Sequence, residues 1–442
     1  MAIQRPRGTR DFLPEDSFKR NAVRKAMQEQ LERWGYQEIT TPTFEHLELF
    51  TIKSGQSILD EIYNFEDKGG RGLALRPELT APVMRMYVNE LQNAAKPLRL
   101  HYFSNCFRYE RPQKGRFREF WQLGAELIGS DKPDAEAEVI ALAYELLKCV
   151  NVPSELHVGH LGLVRSIMRE IPPLDRSDIM KFIDKKERDL LAERLEVIGA
   201  DHLGLLELID LKGKDALEKA LSLAEDLSHH PESQSSLEEP TYSASKSGEG
   251  RAARTDRLQT SEMGLDQFRE MVELLDLYGV DAIVDFEIVR GLEYYTGTVF
   301  EVYTTGLGAQ NQICGGGTYQ LASLLGGRAV HSTGFGIGFD RIMEVAQMDT
   351  KRPSPVAVIF MPDVKAEAIK VAKKLRKSCT TVLDVMGRSM GAQLKYASSI
   401  GAGYAVIIGP KEVEEGRFTL RDMESGVQQS LLLEDIEEML NR

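Results

Sequence analysis

The stretch from residue 98 to residue 129 constrains this chain more than any other. RLHYFSNCFRY and FREFWQLGAELIG are each long enough for a strand, and only the short polar run ERPQKGR separates them. Long neighbouring strands with a short polar connection indicate antiparallel pairing, over about 98–109 and 117–129. Side chains alternate along a strand, so Trp121, Leu123, Ala125 and Leu127 form a plain core face. The opposite face sets Phe120, Gln122, Gly124 and Glu126 in a row: a ring, an amide, a bare backbone position and a carboxylate. Glycine inside a strand often marks close approach by a ligand or another backbone. A solvent-exposed sheet face is the alternative. The arginines of the connection suit a triphosphate, because guanidinium forks match phosphate oxygens; a basic surface turn would look the same.

Three further stretches share this character. In GFGIGFDRI, Gly334, Gly336 and Gly338 fall on one strand face, and Arg341 enters the first turn of the helix behind it. Such a strand is weakened unless something lies flat on it, either a nucleotide or another packed element. No G-x-G-x-x-G spacing is present there. In VRGLEYYTGTVFEVY and CGGGTYQ, Arg290, Tyr294, Tyr295 and Tyr319 lie near glycine-rich backbone. Tyrosines, apolar at the ring and polar at the tip, line pockets and ordinary cores alike. In LALRPELTAP a short strand turns into a helix, with Glu78 and Thr80 at the turn; they could hold a ligand ammonium or simply cap the helix.

The chain is 442 residues long, which predicts two or three domains. Helices and strands alternate over 1–165, a helical insertion is expected over 166–261, and strands return over 262–347. Residues 229–261 are polar and expected to be a mobile loop. A proline-bearing linker at 348–353 precedes a small α/β module with a largely parallel sheet at 354–442. No apolar run approaches the roughly 20 residues of a membrane span, and the amino terminus is not a secretory signal. Cys106, Cys149, Cys314 and Cys379 lack C-x-x-C spacing, which argues against zinc or a disulfide framework and suits a reducing cytosol. His157 and His160 in HVGH are a lone spaced pair of the kind that is usually structural. The net charge of −13 looks wrong for an RNA-binding protein, but local patches govern such contacts. Residues 99–118 hold six basic side chains against Glu110 alone.

Taken in order, these stretches resemble class II aminoacyl-tRNA synthetases. The hairpin looks like that class's motif 2, GFGIGFDRI like motif 3, and the segment up to Pro42 like the dimer-forming motif 1. RGTRDFLP, LRPELT, FRYERPQKGRFREFWQLGAE, VRGLEYYTGTVFE and CGGGTY resemble the histidyl-tRNA synthetase family in particular. That resemblance implies an α+β catalytic domain with a mixed, mostly antiparallel sheet, a helical insertion and a C-terminal α/β anticodon-binding domain. The implied activity is ATP-dependent activation of histidine and its transfer to the 3′ end of tRNA(His), by a cytoplasmic homodimer using Mg²⁺. It places Arg108 at the α-phosphate, Arg116 at the β/γ-phosphates, and Phe120 and Arg341 around the adenine. Glu78, Thr80 and Gln122 go to the histidine amino group, Glu126, Tyr294 and Tyr295 to the side-chain pocket, and Tyr319 closes that pocket. Arg290 bridges the substrate carboxylate and the α-phosphate, while Arg388, Gln393 and Lys395 lie near the tRNA-reading surface. Thr318 and Glu293 stand where the family usually has arginine and aspartate. A catalytically silent relative resembling the regulatory subunit of ATP phosphoribosyltransferase would lack the terminal module and the special arginine. Synthetases for threonine, proline or glycine would lack the YYTGTVFE run and the Gln122/Glu126 pair.

Overall fold

The computed structural model describes residues 3–110, 116–168, 171–199, 203–213, 215–229, 252–289, 295–308 and 311–440. The chain divides into two compact units, Met1–Met348 and Asp349–Arg442.

The strands of the first unit, in chain order, are β1 (Gln37–Glu38), β2 (Phe44–His46), β3 (Asn64–Glu66), β4 (Gly72–Leu75), β5 (Leu98–Phe107) and β6 (Glu119–Ile128), then β7 (Glu155–His160), β8 (Ala282–Val284), β9 (Tyr295–Tyr303), β10 (Gln312–Tyr319) and β11 (Ser332–Gly338). Eight of them form one sheet in the order β1-β5-β6-β11-β10-β9-β7-β8. Its two outermost pairs are parallel and all others antiparallel. The β5–β6 hairpin sits near one end of this array, where its short connection leaves no length for a crossover helix.

The core face of β6 behaves as its apolar alternation requires, with Leu123, Ala125 and Leu127 at most 1% exposed. The Pro133–Lys148 helix contributes Ala137, Val139, Ile140 and Leu147 to the same core. Pro133 at its first turn, followed by Asp134 and Glu136, gives that helix a pre-set start and dipole-matching charge. With this face sealed, the opposite face of the central strands is the one left for a ligand.

The insertion region is helical at Pro173–Asp184, Arg188–Ile198, Leu203–Ile209 and Ala216–His229. The expected loop at 229–261 differs in part: backbone from Ala252 onward belongs to a helix running to Leu277, and residues 230–251 lie outside the described residues. The run AARTDRLQ is polar, yet Ala, Arg, Leu and Gln are good helix formers, so polarity alone misleads there.

The second unit contains β12 (Val356–Phe360), β13 (Thr381–Leu383), β14 (Tyr404–Ile408), β15 (Phe418–Asp422) and β16 (Gln428–Leu431), in the order β13-β12-β14-β15-β16. Only β13-β12-β14 is parallel, where a largely parallel sheet is expected from sequence. β15 and β16 turn back on each other instead. Asp422 accepts the amides of Glu424 and Ser425, both at 2.9 Å, and Gly426 takes a φ of +76° in the same turn.

Candidate active site

On the open face of the sheet, β6 and β11 run in a register that places Glu126 opposite Gly334, Gly124 opposite Gly336, and Gln122 opposite Gly338. The glycines serve different purposes. A Cβ on Gly334 would stand 1.6 Å from Glu126 Oε2, so glycine there makes room for a carboxylate. A Cβ on Gly124 would stand 2.4 Å from the Tyr102 hydroxyl. A Cβ on Gly336 would meet nothing nearer than the Gln122 amide at 3.5 Å, so its backbone is open floor. Close packing thus accounts for Gly334, while the backbone at Gly336 is left open.

Glu126 is 0% exposed and takes three hydroxyl donors: Thr80 at 3.0 Å and Tyr102 at 3.3 Å on one oxygen, Tyr319 at 2.6 Å on the other. Burial still outweighs these bonds and pushes its pKa up to about 8. Glu78 accepts the amides of Thr80 at 2.5 Å and Ala81 at 3.0 Å, so it does cap the Thr80–Met86 helix. Burial raises its pKa too, against the pull of Arg108. These two neighbouring carboxylates with raised pKa values form a buried cluster short of positive charge, which favours a cation brought beside it. Tyr295, expected in the side-chain pocket, is buried at the start of β9 and is paired with Tyr319 across the sheet. The local turn is held by Arg76, whose guanidinium donates to the carbonyls of Thr41 and Asn105 at 2.7 and 2.8 Å.

Further along β6 and β11 lies a cleft of about 780 Å³, counted to its open mouth, whose lining includes Arg108, Arg116, Phe120, Gln122, Gly336 and Arg341. Arg108 is fixed by its Nε donating to the Pro77 carbonyl at 3.0 Å and lies 5.2 Å from the Phe120 ring. Arg341 donates to the Gln312 carbonyl. Burial and the charges of Arg116 and Arg108 lower the pKa of Arg341, while Glu110 opposes them. Two guanidiniums share that carboxylate, which lies 3.3 Å from Arg116 and 3.9 Å from Arg108. The cleft is built for an anion.

Sequence reasoning missed several residues here. Cys106 is buried, its pKa raised to about 12, so it stays a thiol; it donates to Gln122 Oε1 at 3.3 Å. That leaves the amide N–H groups of Gln122 for a ligand. Tyr102 faces Glu126 because Ser104 and Tyr102 alternate onto the same face as Gln122 and Gly124, a signal the β5 pattern did carry. Arg10 and Asp340 meet across the length of the first unit, a pairing no local pattern announces.

Arg290, Tyr294 and Glu293 lie outside the described residues. Thr318 donates to the Thr298 carbonyl at 3.3 Å within the sheet. His157 is held between Asp285 and Glu155, both at 2.8 Å, and His160 is buried with its pKa lowered to about 4 by desolvation. In the second unit Arg388 pairs with Asp384 at 2.8 Å and stacks 4.5 Å from the Tyr396 ring, while Lys395 is exposed. Gln393, expected at the surface, is instead 5% exposed. Its amide bonds both backbone groups of Phe360 and the Arg388 carbonyl, fastening the Met390–Ser399 helix to β12.

Residues 8–342 match the histidyl-tRNA synthetase family model, and residues 355–442 match an anticodon binding domain. The chain is 50% identical to a histidine–tRNA ligase of Methanosarcina acetivorans, over 100% of this chain and 99% of that protein. The chain belongs to the histidyl-tRNA synthetase family. Charging tRNA with histidine is the known function of that family, and ATP is its substrate. Among solved structures, apo histidyl-tRNA synthetase of Staphylococcus aureus superposes with a TM-score of 0.69 at 25% identity, covering 100% of both chains. A protein of Bacillus halodurans described as an ATP phosphoribosyltransferase regulatory subunit/histidyl-tRNA synthetase gives 0.74 at 27% identity, over 92% of this chain and 99% of that one.

Proposed function

We propose that this chain is a histidine–tRNA ligase that activates histidine with ATP in the cleft just described and passes it to the 3′ end of tRNA(His). One observation carries the reading: a cationic cleft with an open glycine floor adjoins a buried cluster of two carboxylates, Glu78 and Glu126, joined through Thr80. A triphosphate and an amino acid with a basic side chain match that division of charge. Phe120 and Arg341 flank the adenine, Arg108 faces the α-phosphate and Arg116 the outer phosphates. Glu78 and Thr80 take the amino group, and Glu126, Tyr295 and Tyr319 take the imidazole. Tyr294 belongs to the same set by resemblance. The resemblance also assigns Gln122 to the amino group; its oxygen accepts the Cys106 thiol and keeps a second lone pair for an ammonium, and its N–H groups can meet the substrate carboxylate.

The carboxylate attacks the α-phosphorus and pyrophosphate leaves. The tRNA hydroxyl then attacks the adenylate carbonyl and AMP leaves. Charge gathers on the α-phosphate in the first step, so fixed guanidiniums facing it stabilise the transition state more than the ground state. Arg290 would supply a further cation, bridging carboxylate and phosphate.

The cleft-lining carboxylates are Asp340, tied to two arginines, and Glu110, facing Arg116. No cluster of three or more metal-ligating side chains occurs among the described residues. Mg²⁺ would be held mainly by the phosphates, with Glu110 able to help only by giving up its pairs to Arg108 and Arg116, and would neutralise phosphate charge.

In the second unit, Arg388, Lys395 and the exposed Val385 and Met386 would meet unstacked anticodon bases and their phosphates. No helix among the described residues is long and apolar enough to cross a membrane. We place the enzyme in the cytosol, as a homodimer through the motif 1-like segment; a monomeric mass by light scattering at micromolar concentration would contradict the dimer.

Pyrophosphate exchange against all twenty amino acids tests the substrate. Exchange is expected with histidine alone and is expected to drop roughly a hundredfold or more in Arg290→Ala. Exchange with another amino acid overturns the assignment. Deleting residues 349–442 is expected to lower aminoacylation by about tenfold or more, near 1.4 kcal/mol, with histidine-dependent exchange retained. An equal loss in both would break the division of labour.

A further inference from the structure

The RGTRDFLP segment takes no part in the site as assigned above, yet one of its side chains reaches that site. We propose that Arg10 is a positioning residue for ATP, holding Phe117 and Asp340 and through them the two walls of the nucleotide cleft. This rests on the ATP reading of that cleft.

The Arg10 guanidinium carbon lies 3.3 Å from the Phe117 ring centroid, and its NH2 lies 2.6 Å from Asp340 Oδ1. Phe117 and Asp340 both line the cleft. Asp340 is 2% exposed; its Oδ1 also takes Arg20 at 2.7 Å, and its Oδ2 accepts the Trp121 amide at 2.8 Å. Asp340 immediately precedes Arg341, and Trp121 immediately follows Phe120. One carboxylate thus fastens the strand carrying Phe120 to the helix carrying Arg341. The gap between those two side chains, which is the adenine slot, is set by this knot.

The segment is docked by its own backbone. The Arg118 amide donates to the Gly8 carbonyl at 2.9 Å. Gly8 has a φ of +86°, and a Cβ there would lie 2.7 Å from Arg118 Cγ, so glycine is needed for the close approach. Arg10 is then delivered onto Phe117 at the foot of the motif 2-like loop.

Arg20 supplies the contrast. It binds the same Asp340 oxygen, but its guanidinium rests on Phe12 at 4.0 Å and Phe339 at 5.1 Å, and neither ring lines the cleft. Either arginine alone leaves Asp340 with a cationic partner, so single removal does not create an unpaired buried charge. Removing Arg10 additionally frees Phe117. Small misplacements of groups that position a substrate are costly, up to about a hundredfold for 1 Å.

The test is pyrophosphate exchange with histidine, varying ATP and histidine in turn. Arg10→Ala is expected to raise KM for ATP about tenfold and to leave KM for histidine within about twofold. Arg10→Lys, which keeps the ion pair but not the flat stack, should fall between. Arg20→Ala should lower the melting temperature and leave KM for ATP within about twofold. Equal shifts of KM for ATP in Arg10→Ala and Arg20→Ala would reduce Arg10 to a structural residue and overturn the proposal, as would equal rises in both KM values of Arg10→Ala. Should Arg10→Ala fail to fold, Phe117→Leu keeps the ion pair and removes the stack; an unchanged KM for ATP there also overturns it. Absence of histidine-dependent exchange in the unaltered protein would instead sink the ATP reading itself.

Discussion

Alanine at position 108 is expected to lower kcat for histidine-dependent pyrophosphate exchange by roughly a hundredfold to a thousandfold, the cost of losing one fixed donor to developing charge. Arg108 is placed before substrate arrives: its Nε is held by the Pro77 carbonyl at 3.0 Å, and its guanidinium lies beside the Phe120 ring. The loss should be in catalysis more than in folding. Glu110 keeps Arg116 at 3.3 Å after the change, so Glu110 is not stranded. Arg108 also lowers the pKa of Glu78, so its removal reaches across from the phosphate side to the amino-acid side. Lysine at 108 retains the charge but cannot keep the Nε bond and present a fork together, and should recover about tenfold at most. Arg116 is exposed, where solvent and salt screen its charge, so Arg116→Ala should act mainly on KM for ATP. Steady-state exchange with ATP varied separates these outcomes. A kcat unchanged in Arg108→Ala, with only KM raised, would make the residue a ground-state clamp.

Much of this site can be read in the chain because strands alternate. The row Phe120, Gln122, Gly124, Glu126 and the row Gly334, Gly336, Gly338 both follow from period-two spacing alone. Their facing register does not. Nothing local says that Gly334 lies against Glu126 while Gly336 lies bare, because that depends on which strands neighbour each other across some two hundred residues. Arg10 and Asp340 are harder still, since their meeting is fixed by how the amino-terminal segment docks on β6. Gln393 is a different kind of miss. Met390, Gln393, Leu394 and Ala397 form the inward stripe of their helix at i, i+3, i+4 and i+7, so its burial was available from the pattern. What polarity suggested about that side chain, periodicity contradicted. A buried amide is tolerable because Phe360 offers it both a donor and an acceptor.

The pairing of charges in the site has an energetic consequence at Glu126. Glu126→Gln is expected to stabilise the fold while lowering exchange by roughly a hundredfold or more. The carboxyl group has an ordinary pKa of 4.5 and is raised to about 8 in the folded chain, with desolvation the largest cause. The folded state therefore binds more protons than the unfolded state between those values, and stability falls as pH rises through that window. Below it the side chain is protonated in both states and costs nothing. Above it the buried anion costs on the order of 4–5 kcal/mol, from the size of the shift. Glutamine is neutral throughout; its oxygen can still accept from Thr80 and Tyr102, while its NH2 replaces the acceptor of Tyr319, whose hydroxyl must turn to accept from it. The melting temperature of the variant should thus exceed that of the parent by a margin that widens from pH 5 to pH 8 and then levels. Melts at three pH values across the window measure the margin, and exchange kinetics measure the loss. A margin independent of pH would mean that Glu126 carries no burial penalty. Retained exchange would mean that the pocket does not need its charge. Above that window the burial penalty is relieved when a cation enters beside Glu126, so the instability of the buried anion is the same free energy that would draw the amino acid in.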